Sequence, residues 1–318
     1  MKKSIISLLL LSFCSLAAKE NINYIDKTHA TLSDWIYNTS NKIDIFFSKS
    51  DMDVSKSKGT YANIYLDSYA QEHTGLQYNF NARIRLRLPR TQKKLHLIFE
   101  NYKNTLSADR QNSSTIGESV SNNSYLLGLQ LDKIKSKFIN IRFGGGVHFS
   151  GISPDAYISL YLSKYYYNHA KWEFELSNNA KYFIKKHLDN TVALSASRII
   201  NENLKFSFQN SYHYLESSNH LNEVVNSLSL EQYIGHKKGL SYLLSIYSSG
   251  DRDNDFKLRY YLGEVSYKRY FYHDYAYYEF SPGVILRNEN NFKPSAQIIF
   301  RIGLFFGKPD VVTYNKFK

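Results

Sequence analysis

From Leu76 to Leu88 the chain reads LQYNFNARIRLRL, with Leu76, Tyr78, Phe80, Ala82, Ile84, Leu86 and Leu88 at even positions and Gln77, Asn79, Asn81, Arg83, Arg85 and Arg87 at odd ones. Successive strand side chains point to opposite faces, so this stretch predicts a β-strand with one apolar and one strongly polar face. A helix would smear the arginines around its axis. The run exceeds the usual strand of roughly 5–6 residues and meets the roughly 9–11 that a tilted strand needs to cross a bilayer. Taken alone, it also fits a long strand of a soluble sandwich or lipocalin-like barrel.

The unit recurs. After Gly59 alternating stretches follow one another at roughly 17 residues per strand and connector. Strands are expected near 60–69, 74–88, 95–102, 123–131, 138–149, 156–166, 171–183, 190–199, 204–215, 224–234, 240–248, 256–267, 275–287 and 295–306. The pattern predicts an all-β, transmembrane, antiparallel up-and-down barrel of about 14 strands, with 12 to 16 compatible, an even number as bacterial outer-membrane barrels require. Connectors at 89–94, 132–137, 168–170, 200–203, 235–239 and 272–274 are short, whereas 104–122 and 216–223 are long and polar, and parity puts every short one on the same side. Tyrosines and Trp172 crowd two of these turns, as interfacial girdles do. The last strand carries Ala296, Ile298, Phe300, Ile302, Leu304 and Phe306 on one face, and a polar tail follows.

Ahead of the first strand the periodicity changes. Leu32, Trp35, Ile36, Ile43, Phe46 and Phe47 recur at spacings of three, four and seven, which predicts a short amphipathic helix at about 31–48 with Thr31 or Ser33 as N-cap. The helix should pack against the barrel, in the lumen or at its periplasmic mouth, or lie on the inner leaflet. The first residues have two lysines, an apolar core and Ala17-Ala18, the layout of a cleaved secretory signal. The expected organisation is a signal peptide at 1–18, a periplasmic segment at 19–58, the barrel at 59–307 and a tail at 308–318.

Composition narrows the partners. Of the formal charge of +12, Lys2 and Lys3 account for two, so the chain after the signal carries +10. Such an excess suits nucleic acid or a surface rich in anionic lipid, and export argues against the first. Cys14, the only cysteine, falls in the signal, so no disulfide is expected after it. There are 28 Tyr against 2 Trp, a load that suits girdles better than a soluble core.

Three stretches carry a resemblance: LSDWIYNTSNKIDIFFS, RIRLRLPRTQKKLHLIFE, and YEFSPGVILRNENNFKP with its final strand. The chain resembles an uncharacterised family of Gram-negative outer-membrane β-barrel proteins over most of its length. The resemblance implies a fold and an outer-membrane location, with outer-membrane lipid, lipopolysaccharide and the barrel assembly machinery as partners. It carries no catalytic residues across.

With the apolar faces turned to lipid, the lumen should receive Arg83, Arg85, Arg87, Arg142, Lys205, Lys257, Arg259 and Arg301 with Glu100, Asp132, Glu173, Glu175, Glu231 and Glu279. A symmetric turn after β-position 88 would set Arg83 across from Glu100. The three glycines at 144–146 suggest a bulge or the close approach of an inner element such as the N-terminal helix. His148 and Ser150 share a strand face and so form the one enzymatic alternative, a lipid hydrolase, although no third residue is spaced to orient the histidine. No histidine spacing suits a metal, and no cofactor is expected. The expected function is a passive channel for small polar or anionic solutes, with a sealed structural or assembly barrel as the alternative.

Overall fold

An alternating strand buries one face only, and both of its edges need backbone partners, so a series of such strands is driven to close on itself. The computed structural model describes residues 19–48, 60–72, 75–88, 95–102, 124–136, 138–150, 153–167, 172–273 and 275–307. The expected signal at 1–18, the polar tail at 308–318 and the whole of the long connector at 104–122 lie outside these. Fourteen antiparallel strands form one closed barrel in chain order. They are β1 (Tyr61–Gln71), β2 (Gly75–Arg87), β3 (Leu95–Asn101), β4 (Ser124–Lys135), β5 (Ile139–Ser150), β6 (Ser153–Tyr167) and β7 (Trp172–Phe183). The circuit continues with β8 (His187–Asn201), β9 (Leu204–Leu215), β10 (Leu221–Gly235), β11 (Lys238–Gly250), β12 (Lys257–Tyr272), β13 (Ala276–Arg287) and β14 (Pro294–Gly307). The seam joins β1 to β14 from Tyr61–Gly307 to Gln71–Gln297. We call the end with Tyr61 and Gly307 the lower rim.

Side-chain direction follows the pleat. Leu76, Phe80, Ile158, Leu176, Leu244 and Ile298 stand exposed on the outer face. The same strands turn Asn81, Tyr157, Lys181, Ser245 and Gln297 inward, where they are buried. Aromatic rings ring both ends of this apolar band. At the lower rim Trp172 stacks with Phe174 and meets Phe206 edge-on, and Tyr278 packs against Tyr267 and Phe271. At the upper rim Tyr182, Tyr212 and Tyr261 are exposed.

The connectors are less asymmetric than the sequence suggests. Lower turns are short, at 202–203 and 236–237, but so is the upper turn at 184–186. Upper strand ends pair beyond the expected boundaries, so β8 begins at His187 rather than 190 and β10 at Leu221 rather than 224, because ladder hydrogen bonds do not require an alternating side chain.

The helix α1 (Lys19–Ser48) packs on the outside of the barrel at the lower rim, not in the lumen. Ile36 and Ile43 lie on the outward residues Ala62, Ile64, Ile84, Leu86, Leu97 and Phe306. The charged lower lumen would leave these isoleucines without an apolar partner, whereas the outer wall of β1, β2 and β14 supplies one. Polar contacts fix the register: Gly307 N donates to Ser33 Oγ at 3.2 Å, Ser40 Oγ donates to Arg87 O at 2.8 Å, and the His29 ring stacks on Tyr275 at 3.6 Å.

The glycines at 144–146 do not form a bulge, for β5 pairs without interruption there. A Cβ on Gly146 would sit 2.1 Å from Leu127 O, and one on Gly128 would sit 2.5 Å from the Tyr157 hydroxyl. The close approach at these glycines comes from the two neighbouring strands, through Leu127 O at Gly146 and Ser159 Oγ at Gly144, and not from the helix. The bulge lies nearby, between Asp132 and Ile134.

Candidate functional site in the barrel lumen

The register of β2 on β3 builds the first cluster. One step beyond the Ile84–Phe99 pair, Arg83 stands opposite Glu100, and its Nε lies 3.2 Å from Glu100 Oε2. Closer to the lower rim, Asp132 receives His96 Nε2 at 3.2 Å on Oδ2. Arg85 Nη2 stands 3.9 Å from the same oxygen, and Arg142 Nε stands 4.0 Å from Oδ1. These last two separations are too long for hydrogen bonds. Arg142 instead rests on the Tyr161 ring, 3.9 Å from its centroid. Arg85, Asp132, Ile134, Asn140 and Arg142 line a cavity of about 100 Å³.

A second cluster fills the lumen beside the seam. Arg301 donates from Nε to Asp67 Oδ1 at 2.6 Å and from Nη2 to Oδ2 at 3.3 Å, while Asn81 donates to Asp67 Oδ2 at 3.0 Å. Glu279 lies 3.7 Å from Arg301 Nη1, and Lys268 Nζ sits 4.4 Å over the Tyr277 ring. Gln297 donates to Glu264 at 3.4 Å, two strands away. The opposite wall is open by comparison. Ser177, Asn179, Thr191, Ser195, Ser207 and Gln209 on the inner faces of β7, β8 and β9 are only half-buried.

The third cluster crosses the upper lumen. Tyr102, the residue after β3, donates its hydroxyl to Asp189 on β8, and these strands are not neighbours in the barrel. Asp189 Oδ1 lies 3.1 Å from His213 Nε2. His213 Nδ1 meets Glu223, and Glu223 accepts the Tyr247 hydroxyl. One chain of bonds thus spans β3, β8, β9, β10 and β11. Beside it His148 and Phe183 are fully buried, with the His148 ring 4.7 Å from Tyr102 and Phe183 edge-on to Tyr102 at 5.6 Å. Lys186, in the upper turn, lies 4.8 Å over the Tyr102 ring and 3.4 Å from His148 Nε2. Burial pushes the Lys186 ammonium below its usual range, and Asp155 and Asp189 oppose that shift.

The other charges named from the sequence are dispersed. Tyr161 donates to Glu175 and Tyr167 to Glu173, each at 3.1 Å. Lys205 pairs in register with Glu231, and Arg87 continues the inner face of β2 with its Nε buried. Arg259 donates to Ser249 at 2.9 Å and Lys257 lies 3.7 Å from Asp255, so both stand at the upper rim. An irregularity at Tyr247 and Ser248 shifts the β12 register, so Glu264 and Lys268, rather than the odd-numbered residues of that strand, point inward below it. His148 bonds Lys186, Ser150 is exposed, and among the described residues no hydrogen bond joins the two. A serine nucleophile requires that bond. Among the described residues no group of three His, Cys, Asp or Glu could hold a metal.

Sequence reasoning passed over Asp67, His96, Asp155, Lys181, Asp189, His213, Glu223, Glu264 and Lys268. Most were within reach of it. His96 shares the face of Glu100, and Lys181 and Asp189 continue the parity of Glu173 and Glu175. Tyr102 had no such signal, since a contact across the lumen depends on barrel closure.

No family model and no curated protein matches the chain. Among solved structures it is similar to a loop-deletion form of OmpT, an outer membrane protein of Vibrio cholerae, at 8% identity over 79% of this chain and 99% of that one, with a TM-score of 0.47. It is similar to the outer membrane channel DcaP of Acinetobacter baumannii at 9% identity over 80% and 100%, with a TM-score of 0.47. The KdgM porin aligns at 7% identity over 77% and 98%, with a TM-score of 0.38.

Proposed function

We propose that the chain is an integral outer-membrane barrel that passes small polar solutes, with a preference for anions. A closed sheet with an apolar outer face between two aromatic girdles is the form in which strands satisfy their backbone inside lipid. The lower rim, with both barrel termini, then faces the periplasm. Outer-membrane lipid and lipopolysaccharide surround the barrel, and the barrel assembly machinery inserts it. The observation that carries the channel reading is the half-buried polar wall of β7 to β9, along which an ion can exchange hydration for hydroxyl and amide contacts. Arg83 and Arg85 on β2 and Arg142 on β5 bias the field of the lumen toward anions. The bond chain from Tyr102 to Tyr247 narrows the upper end, so only small solutes fit.

That same chain of bonds favours the second reading, a sealed barrel with a structural or assembly role. Planar-bilayer recording on the purified protein separates the two. Steady anion-selective steps that shift toward cations in an Arg83→Gln, Arg85→Gln variant support the channel. A silent wild-type protein that still migrates differently in boiled and unboiled detergent samples is a sealed barrel. Recovery in the soluble periplasmic fraction would overturn both.

A further inference from the structure

We propose that the lower-rim cavity lined by Arg85, Asp132, Asn140 and Arg142 is a binding site for a small hydroxycarboxylate. Buried polar atoms are nearly always hydrogen-bonded. Three atoms on this one wall are not: Arg85 Nε, Asp132 Oδ1 and Asn140 Oδ1 are all buried and unpartnered. One is a donor and two are acceptors, so a ligand that satisfies all three both accepts and donates.

The donor side consists of two guanidiniums. Neither is within hydrogen-bond range of Asp132, at 3.9 and 4.0 Å, and Arg142 is steadied by Tyr161 at 3.9 Å without using its N–H groups. A planar carboxylate is the group that such forks match. The acceptor side is held in place, because His96 occupies Asp132 Oδ2 and leaves Oδ1 for a ligand. Tyr165 lies at the far side of Asn140, 3.5 Å from its Nδ2, and leaves the amide oxygen for the ligand. Hydroxyl groups are the donors that suit these two oxygens.

Charge sets the valence. Two arginines against Asp132 leave one positive charge, which suits a monoanion. A phosphate dianion would face the Asp132 carboxylate, and a zwitterionic amino acid would leave the excess charge unmatched. The volume, about 100 Å³, equals about three waters at ~30 Å³ each and suits a three-carbon acid.

As the selective step of transport, the site rests on the channel reading, but binding itself requires no conduction. Titration calorimetry on the folded full-length protein in detergent, with glycerate, propionate and glycerol as probes, tests it. Glycerate should bind about tenfold or more tighter than either other probe, because each lacks one half of the recognition. Arg142→Gln should weaken glycerate about tenfold, and Asn140→Ala should weaken glycerate while leaving propionate unchanged. Both variants are checked for the heat-dependent gel shift of a folded barrel. Equal affinity for glycerate and propionate would reduce the site to non-selective anion attraction. No glycerate heat at about 10 mM from a folded barrel would mean that the cavity holds only water, and would overturn the proposal. Binding without current would retain the site and remove the channel, and current without binding would do the reverse.

Discussion

Asp67 is fully enclosed and accepts three hydrogen bonds, two from Arg301 and one from Asn81. Removing one partner of a buried ion pair costs about 3–5 kcal/mol when the other charge is left unmatched, and less here, because Glu279 remains 3.7 Å from Arg301. Asp67→Asn should therefore lower the temperature at which the unboiled gel band disappears, and an unchanged temperature would show that water replaces the carboxylate. The Arg83–Glu100 pair was legible in the sequence because alternation gives the face and the turn gives the register. Asp189, His213 and Glu223 each show the correct parity, but their meeting with Tyr102 depends on how the barrel closes, which no local pattern encodes.

At the scale of elements, the fourteen strands were legible because each needs a long period-two run, and only their ends drifted. The helix was legible as a helix, but it starts at Lys19 rather than at about 31, so Thr31 and Ser33 lie inside it instead of capping it, and its position was illegible. Its surface has three parts: Ile36, Ser40 and Ile43 meet the barrel, Lys27, Thr31, Asn38 and Lys42 are polar, and Leu32, Trp35 and Phe46 are exposed. Trp35 is 63% exposed and Phe46 77%, which on a rim helix places this apolar stripe in the lipid interface. Trp35 emission should be quenched by brominated lipid in reconstituted vesicles and little affected by iodide, and the opposite order would place the stripe in water.

The helix is also tied down by charge. Tyr275 donates to Asp26 Oδ1 at 2.8 Å, and His273 lies 3.4 Å from the same atom. The Tyr275 bond, assisted by His273, holds the Asp26 carboxyl below its usual range. A depressed carboxylate contributes above its unfolded value, about 3.9, and loses that contribution as pH falls through the lower folded value. Protease cleavage within 19–48 should accelerate below about pH 4 while the barrel band stays intact. Asp26→Asn should remove the pH dependence, and its persistence in that variant would assign it to another group.

For the whole molecule, the lumen is divided between a packed half at the seam and a polar half at β7 to β9, with one tyrosine reaching across the top. Tyr102→Ala removes both the bond to Asp189 and the ring that packs against His148 and Phe183. The variant should conduct more than the wild type in planar bilayers and admit larger solutes in liposome swelling. Unchanged conductance would mean that the path avoids this ring.

The outer position of α1 also orders events in time. Its wall includes Phe306, and Ser33 receives a hydrogen bond from Gly307, 274 positions along the chain. Contacts between residues so distant in sequence form late, because a long loop must be closed before they are rewarded. The segment that precedes the barrel in the chain is thus among the last to settle: it waits on the growing sheet and can seat only when β14 has met β1. Once seated, it lies across the lower end of the one junction that the nascent sheet could reopen, and opening that junction from below requires the helix to leave first.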